Sequence, residues 1–389
     1  MLQSNSSGSL PMLTRRRCLA AAAAALVGGS IGRDPRAQPA DSDLPFLADV
    51  QTPPAIPTDD WPPSLLVGAA GSPIATWQAW LAERERIRAA WLEFLSPWEV
   101  AEPGNEHRLF AEEQAAGCRR RLIRYATEPD EEVDAWLLLP ADEAARPERG
   151  WPGAVVFHST TDQTIDEPAG TAPSDAVAIG TWLCQRGFVV LCPRCHLWNT
   201  TPAHRLDLPG AVARLAQRHP GARGMRKLLH DGIRAVDILL TIDHVDPAAI
   251  VTAGHSLGAK EALYLAAFDD RVSSAVFSEG GIGLGFSNWH DPWYLGDAIR
   301  DPAFRLDHAQ LLALTLPRGL LILGGEAGPG AADGDRSWGH VARALEVGRL
   351  ERDRPRLGLF NHRGGHAIPP PARERLLDWL AGCAGGAGG

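Results

Sequence analysis

The chain has 389 residues, of which 45% are hydrophobic and 22% charged, the composition of an ordinary globular protein long enough to bury a large core. A formal charge of −9, with no long Lys/Arg run outside the extreme N-terminus, argues against a nucleic-acid partner and against a polyanionic substrate. After residue 40 no apolar run approaches the length of a membrane span.

Residues 1–40 hold Thr14-Arg15-Arg16-Arg17-Cys18-Leu19, an Ala20–Ala25 run, Leu26 and Val27, and the exit Ala37-Gln38-Pro39-Ala40. A basic segment, a short weakly apolar stretch and a small-residue exit predict an export signal of the twin-arginine type, and hence a periplasmic or secreted protein. Residues 41–72, with Thr52-Pro53-Pro54 and Trp61-Pro62-Pro63, read as a Pro-rich linker packed across a surface. A catalytic domain is expected over 73–383, beginning with a helical extension over 73–116. Within it Trp77, Trp80, Leu81, Ile87, Trp91 and Phe94 fall near helical spacing, a stripe that reads as core rather than as a binding site.

From Gly117 the pattern changes to strands. Arg119–Thr127 and Val133–Leu139 read as a strand pair, and the wholly apolar Gly153–Phe157 as a strand buried on both faces. Helices and strands then alternate: helix 176–186, strand 188–192, helix 225–242, strand 250–253, helix 257–268, strands 272–278 and 320–323, helix 338–347, strand 357–360 and helix 372–380. This order predicts an α/β fold, a mostly parallel central sheet with helices on both faces and reactive groups at the carboxyl ends of the strands. Two long insertions, 193–224 and 279–317, leave that same edge as pocket walls. Cys192-Pro193-Arg194-Cys195 has no second Cys pair to complete a metal site, so buried or disulfide-linked cysteines are expected, with no metal or cofactor.

The chain is organised around Gly254-His255-Ser256-Leu257-Gly258. An apolar strand stops at Gly254 and helix formers begin after Gly258, so Ser256 stands on a sharp strand-to-helix turn, with small neighbours where a Cβ would clash. A Ser hydroxyl needs an imidazole to take its proton, and His366, in the last strand-to-helix loop, is the candidate base, with His362 as its rival. For the acid that orients the base, Asp333 is the first candidate, Glu326 the second and Glu279, after the preceding strand, the third. The N–H groups of Leu257 and of Ser159 or Thr160 are candidate oxyanion donors.

The elbow, His158-Ser159-Thr160-Thr161, Ala266-Ala267-Phe268-Asp269-Asp270-Arg271-Val272, Ser278-Glu279-Gly280-Gly281 and 361–366, taken in this order, resemble the α/β-hydrolases grouped with acetyl xylan esterases and dienelactone hydrolases. Dienelactone hydrolases proper use Cys where this chain has Ser256. The resemblance implies hydrolysis of a carboxylic ester through an acyl-enzyme, without metal or organic cofactor, on a carbohydrate or small-molecule substrate. Two alternatives stay open. A glucuronoyl-type esterase needs a cation to clamp the sugar carboxylate, for which Arg194 and Arg205 are candidates, and a catalytically inactive hydrolase-fold domain would serve binding alone.

Overall fold

The computed structural model describes residues 44–385 apart from 69, 70, 97, 201 and 202, so the export-signal reading and Cys18 lie outside the described residues. No helix among the described residues is long and apolar enough to cross a membrane. The Pro-rich segment behaves as a strap: Leu44, Phe46, Leu47 and Val50 are buried, and Gln51 Nε2 donates to Leu357 O at 3.1 Å. Helix α1 (Trp77–Leu95) is capped by Thr76, whose hydroxyl accepts from Ala79 N–H. It buries Trp80, Ile87, Trp91 and Leu95, so the aromatic stripe is core.

The helical extension expected over 73–116 ends with α1. Residues His107–Ala115 form strand β1, antiparallel to β2 (Cys118–Glu128). The stretch Ala111-Glu112-Glu113-Gln114-Ala115 is made of helix formers, but its carboxylates find partners across the ladder, with Glu112 pairing with Arg121 and Glu113 with Arg120. Cross-strand ion pairs on an exposed edge override the local propensity here, and those charges also guard the edge against further pairing.

The remaining elements are β3 (Glu131–Pro140), β4 (Trp151–Phe157), α2 (Asp166–Ala169), α3 (Ile179–Gln185), β5 (Val189–Pro193), α4 (Leu208–Arg218), α5 (Gly224–Leu239), β6 (Val245–His255), α6 (Leu257–Phe268), β7 (Val272–Ser278), α7 (His308–Thr315), β8 (Gly319–Gly324), α8 (Trp338–Gly348), β9 (Leu357–Asn361) and α9 (Pro370–Gly385). The strands form one sheet in the order β1-β2-β3-β5-β4-β6-β7-β8-β9. From β5 to β9 all pairs are parallel, while β1, β2, β3 and β5 pair antiparallel. The two insertions each hold a helix, α4 in the first and α7 in the second.

Strand residues alternate between two cores. Val155, Phe157, Ile250, Ala275, Phe277, Leu320 and Ile322 pack under α1, α5, α6, α7 and α8. Ala154, Val156, Val251, Ala253, Val276, Leu321 and Leu323 pack under α3, α9 and the strap. Burial on both faces is why these strands read as unbroken apolar runs in the sequence.

The direction of strand addition reverses between β4 and β6. The chain steps outward from β4 to β5, then returns to lay β6 on the other side of β4. Crossover helices diverge at such a point and leave a crevice at the carboxyl ends of the strands. The ends of β4 (Phe157, His158) and β6 (His255, Ser256) meet there.

Candidate active site

Ser256 follows β6 and precedes α6 with φ 58° and ψ −115°, a left-handed conformation that costs an L-residue about 1–3 kcal/mol unless its surroundings impose it. Two glycines allow it. A Cβ on Gly254 would lie 2.2 Å from the Gly258 carbonyl, and one on Gly258 would lie 2.4 Å from Phe157 O. Both clashes are with backbone, which cannot rotate away. Gly258→Ala is therefore expected to destabilise the protein by about 3 kcal/mol, read as a lower thermal midpoint by circular dichroism. An unchanged midpoint would show that the elbow packs more loosely than these contacts require. The turn is held from the neighbouring strand by the Ser256 N–H, which donates to Ser278 O at 2.8 Å.

Ser278 is the last residue of β7, and the chain turns at Glu279, which has φ 55°. Glu279 is 1% exposed. Its Oε2 accepts from Ala332 N–H at 2.7 Å and lies 3.8 Å from His366 Nδ1, while its Oε1 lies 3.3 Å from His362 Nε2. Burial pushes this carboxyl up, but the two imidazoles and the Ala332 N–H outweigh it and hold the group down at about 2. It is an anion across the working range of the protein.

His366 is partly open to solvent, its side chain 30% exposed. Its ring lies against that of His255, the residue before Ser256, with centroids 4.6 Å apart. His255 is buried, contacts Ser278 Oγ through Nδ1 at 3.1 Å, and is driven down to about 3 by burial and by the neighbouring His366, so it stays neutral. The structure thus brings Ser256, His255, His366, His362 and Glu279 to one sheet edge.

The other acid candidates have different partners. Asp333 is 2% exposed and accepts from Gly281 N–H, Ile282 N–H and Ser337 Oγ, each at 2.8 Å. None of these is an imidazole. Burial raises its pKa. Glu326 accepts from Asp335 N–H at 2.9 Å and from Asn361 Nδ2, with Arg363 at 3.7 Å, on an exposed surface. The oxyanion candidates separate as well. Ser159 N–H donates to Glu167 Oε2 at 2.7 Å and its hydroxyl to Glu167 Oε1 at 2.5 Å, so that amide is already engaged. Thr160 N–H makes no hydrogen bond among the described residues. Leu257 N–H opens α6, where the first amides of a helix lack intrahelical partners.

The proposed sugar-carboxylate clamps are both paired, Arg194 with Asp134 at 2.7 Å and Arg205 with Asp162 at 3.7 Å. Sequence reasoning passed over Lys260, one turn into α6. Its Nζ donates to Ser287 Oγ at 2.8 Å and Asn288 Oδ1 at 3.0 Å and lies over the rings of Trp289 and Tyr294 at 4.4 and 4.6 Å. Burial lowers it to about 7. The spacing Ser256-x-x-x-Lys260 puts it one helical turn from the elbow, but nothing in the sequence shows that the second insertion closes over it. A cavity of about 850 Å³ is lined by Gly150, Trp151, Arg186, Phe188 and Ala249 at the opposite, amino-terminal edge of the parallel strands, far from this chemistry. All five described cysteines are buried free thiols, and no group of His, Cys, Asp and Glu among the described residues is arranged to hold a metal.

No family model matches the chain, and no curated protein matches it. Solved structures do. A glucuronoyl esterase from Solibacter usitatus superposes with a TM-score of 0.66 at 17% identity, over 85% of this chain and 99% of that one. A carbohydrate esterase family 15 glucuronoyl esterase from Teredinibacter turnerae T7901 gives 0.61 at 19% identity, over 88% and 99%. A protein assigned as an acetyl xylan esterase from Bacteroides fragilis gives 0.54 at 15% identity, over 82% and 80%. At these identities the likeness speaks to architecture, and with the serine turn at the switch point of the sheet it shows that this chain has the α/β-hydrolase fold.

Proposed function

We propose that the protein is an exported serine esterase acting on a carbohydrate or other small carboxylic ester. The observation that carries this reading is the convergence, on one sheet edge, of a strained Ser256, the accessible imidazole of His366 and the buried anion of Glu279. Glu279 takes the role of the acid in preference to Asp333, because the Asp333 oxygens are filled by the Gly281, Ile282 and Ser337 donors, whereas Glu279 faces His366.

In this mechanism Glu279 faces Nδ1 of His366, so the proton-accepting Nε2 is left for Ser256. Ser256 Oγ attacks the ester carbonyl and passes its proton to His366, which returns it to the departing alcohol. The N–H groups of Leu257 and Thr160 hold the oxyanion. Water, deprotonated by His366, then releases the acid and frees Ser256.

A second reading, a glucuronoyl-type esterase, draws support from the solved structures described above. Its clamp would have to win Arg194 from Asp134. A panel pairing acetylated xylan with a methyl glucuronate ester separates the two readings, and a fluorophosphonate probe tests the site itself. Turnover of one ester together with probe labelling lost in Ser256→Ala is expected; no turnover and no labelling would make the domain a binding protein. The N-terminal basic segment supports export. Replacing Arg15 and Arg16 by Lys is expected to leave the protein in the cytoplasm, read by fractionation, and unchanged fractionation would remove that part of the proposal.

A further inference from the structure

Two imidazoles share the Glu279 carboxylate, and only one of them meets the substrate in the reading above. The side chain of His362 is 2% exposed and that of Glu279 is fully buried. Gly364 N–H donates to His362 Nδ1 at 3.1 Å. A ring nitrogen that accepts a hydrogen bond carries the lone pair, so in the neutral ring the proton sits on Nε2. That Nε2 lies 3.3 Å from Glu279 Oε1. Neither atom completes an aligned hydrogen bond among the described residues, the 3.3 Å approach to each other included. A buried donor and a buried acceptor, both otherwise unpaired and facing each other, define one another's role.

The pocket for that oxygen is tight. A Cβ on Gly325 would lie 2.6 Å from Glu279 Oε1 and 2.6 Å from the carbonyls of Gly364 and Gly365. The 364–365 backbone is also what links His362 to His366, and Gly364 O accepts from Glu326 and Ala327 N–H. The 361–366 turn therefore presents one imidazole to each oxygen of the same carboxylate.

We propose that His362 is the positioning residue of the active site: as the neutral Nε2–H tautomer it grips Oε1 of Glu279 and so aims Oε2 at His366. This rests on the esterase reading for its kinetic consequence but not for its structural one. The groups facing Glu279 are His362 and His366 from the β9–α9 loop, His255 from β6 and Asp333 from the β8–α8 loop. His362, ahead of His366 and the Ala332 N–H, holds the carboxyl down against burial. Without it Glu279 takes up a proton at higher pH and stops stabilising the His366 cation.

The test uses two substitutions that split the histidine in half. Gln places an N–H₂ donor near the Nε2 position, and Asn places an acceptor near the Nδ1 position. With p-nitrophenyl acetate as probe, His362→Asn is expected to keep the turn and lower kcat on the order of 10- to 100-fold at unchanged KM, because the acid is left unaimed. His362→Gln is expected to retain at least about tenfold more kcat than the Asn variant and a near wild-type pH profile. The reverse order, with Asn active and Gln impaired, would show that His362 only braces the turn, and would overturn the proposal. A readout free of catalysis is ¹⁵N NMR of the wild-type protein, in which His362 should appear as the Nε2–H tautomer. A Nδ1–H tautomer overturns the proposal even if no ester is ever turned over, and even if the Asn variant does not fold.

Discussion

Ser256→Ala is expected to lower kcat for p-nitrophenyl acetate on the order of 10⁵- to 10⁶-fold while circular dichroism and the thermal midpoint stay near wild type. The size follows from the unit the serine belongs to: without the nucleophile, His366 has no proton to take, and only binding and the oxyanion donors remain. The fold should survive because the backbone of Ser256, and not its hydroxyl, carries the structural load. Its N–H is bonded to Ser278 O, and the left-handed turn is set by contacts of Gly254 and Gly258. Retention of more than a trace of activity would mean that ester turnover happens elsewhere.

The second large effect separates two acids. Glu279→Gln is expected to lower kcat on the order of 10³- to 10⁴-fold, the scale seen when the acid of such a triad becomes an amide and fails to stabilise the imidazolium. Asp333→Asn should do something different. Its carboxylate receives three donors that fix residues 281, 282 and 337. The Asn variant swaps an acceptor for a donor facing those groups, so the main loss should be in thermal midpoint, with kcat falling far less. Equal kcat losses would leave the role of Glu279 unsupported, and the reverse order would return it to Asp333. The pH dependence follows with its sign: a carboxyl held at about 2 in the fold, below its ordinary 4.5, contributes stability present above the unfolded value. That contribution is lost as pH falls toward 2. In the neutral range it is constant, so mild acidification leaves Glu279 charged.

The parallel strands were legible because each is buried on two faces and appears as a short, largely apolar run; strand Val272–Ser278, like helix Leu257–Phe268, has the boundaries the sequence predicts. Strand β1 was not, because an exposed edge needs no apolar pattern and its Glu and Gln residues have helical preference. The elbow showed itself through Gly254 and Gly258, since small residues there answer a purely local clash. The acid did not. Glu279, Glu326 and Asp333 all follow strands on the same edge, and what distinguishes them is which donors each carboxylate already has, several of them 35 to 53 residues away. The engaged amide of Ser159 was hidden for a different reason: its partner Glu167 is close in sequence but sits in the short helix α2, which no sequence signal marked.

The second insertion begins at Glu279, the proposed acid. From Glu279 it is pinned by Asp333 at 281 and 282, by the Trp289 indole, which donates to Gly281 O, and by Lys260 at 287 and 288. A loop rooted this way has little freedom to diverge near its base, because a change that reshapes the wall also moves the group that orients the imidazole. If the protein is the proposed esterase, diversification of substrate choice among its relatives should then concentrate beyond Tyr294, in the outboard stretch leading to α7, and grafts that respect that border should alter selectivity without slowing the chemistry.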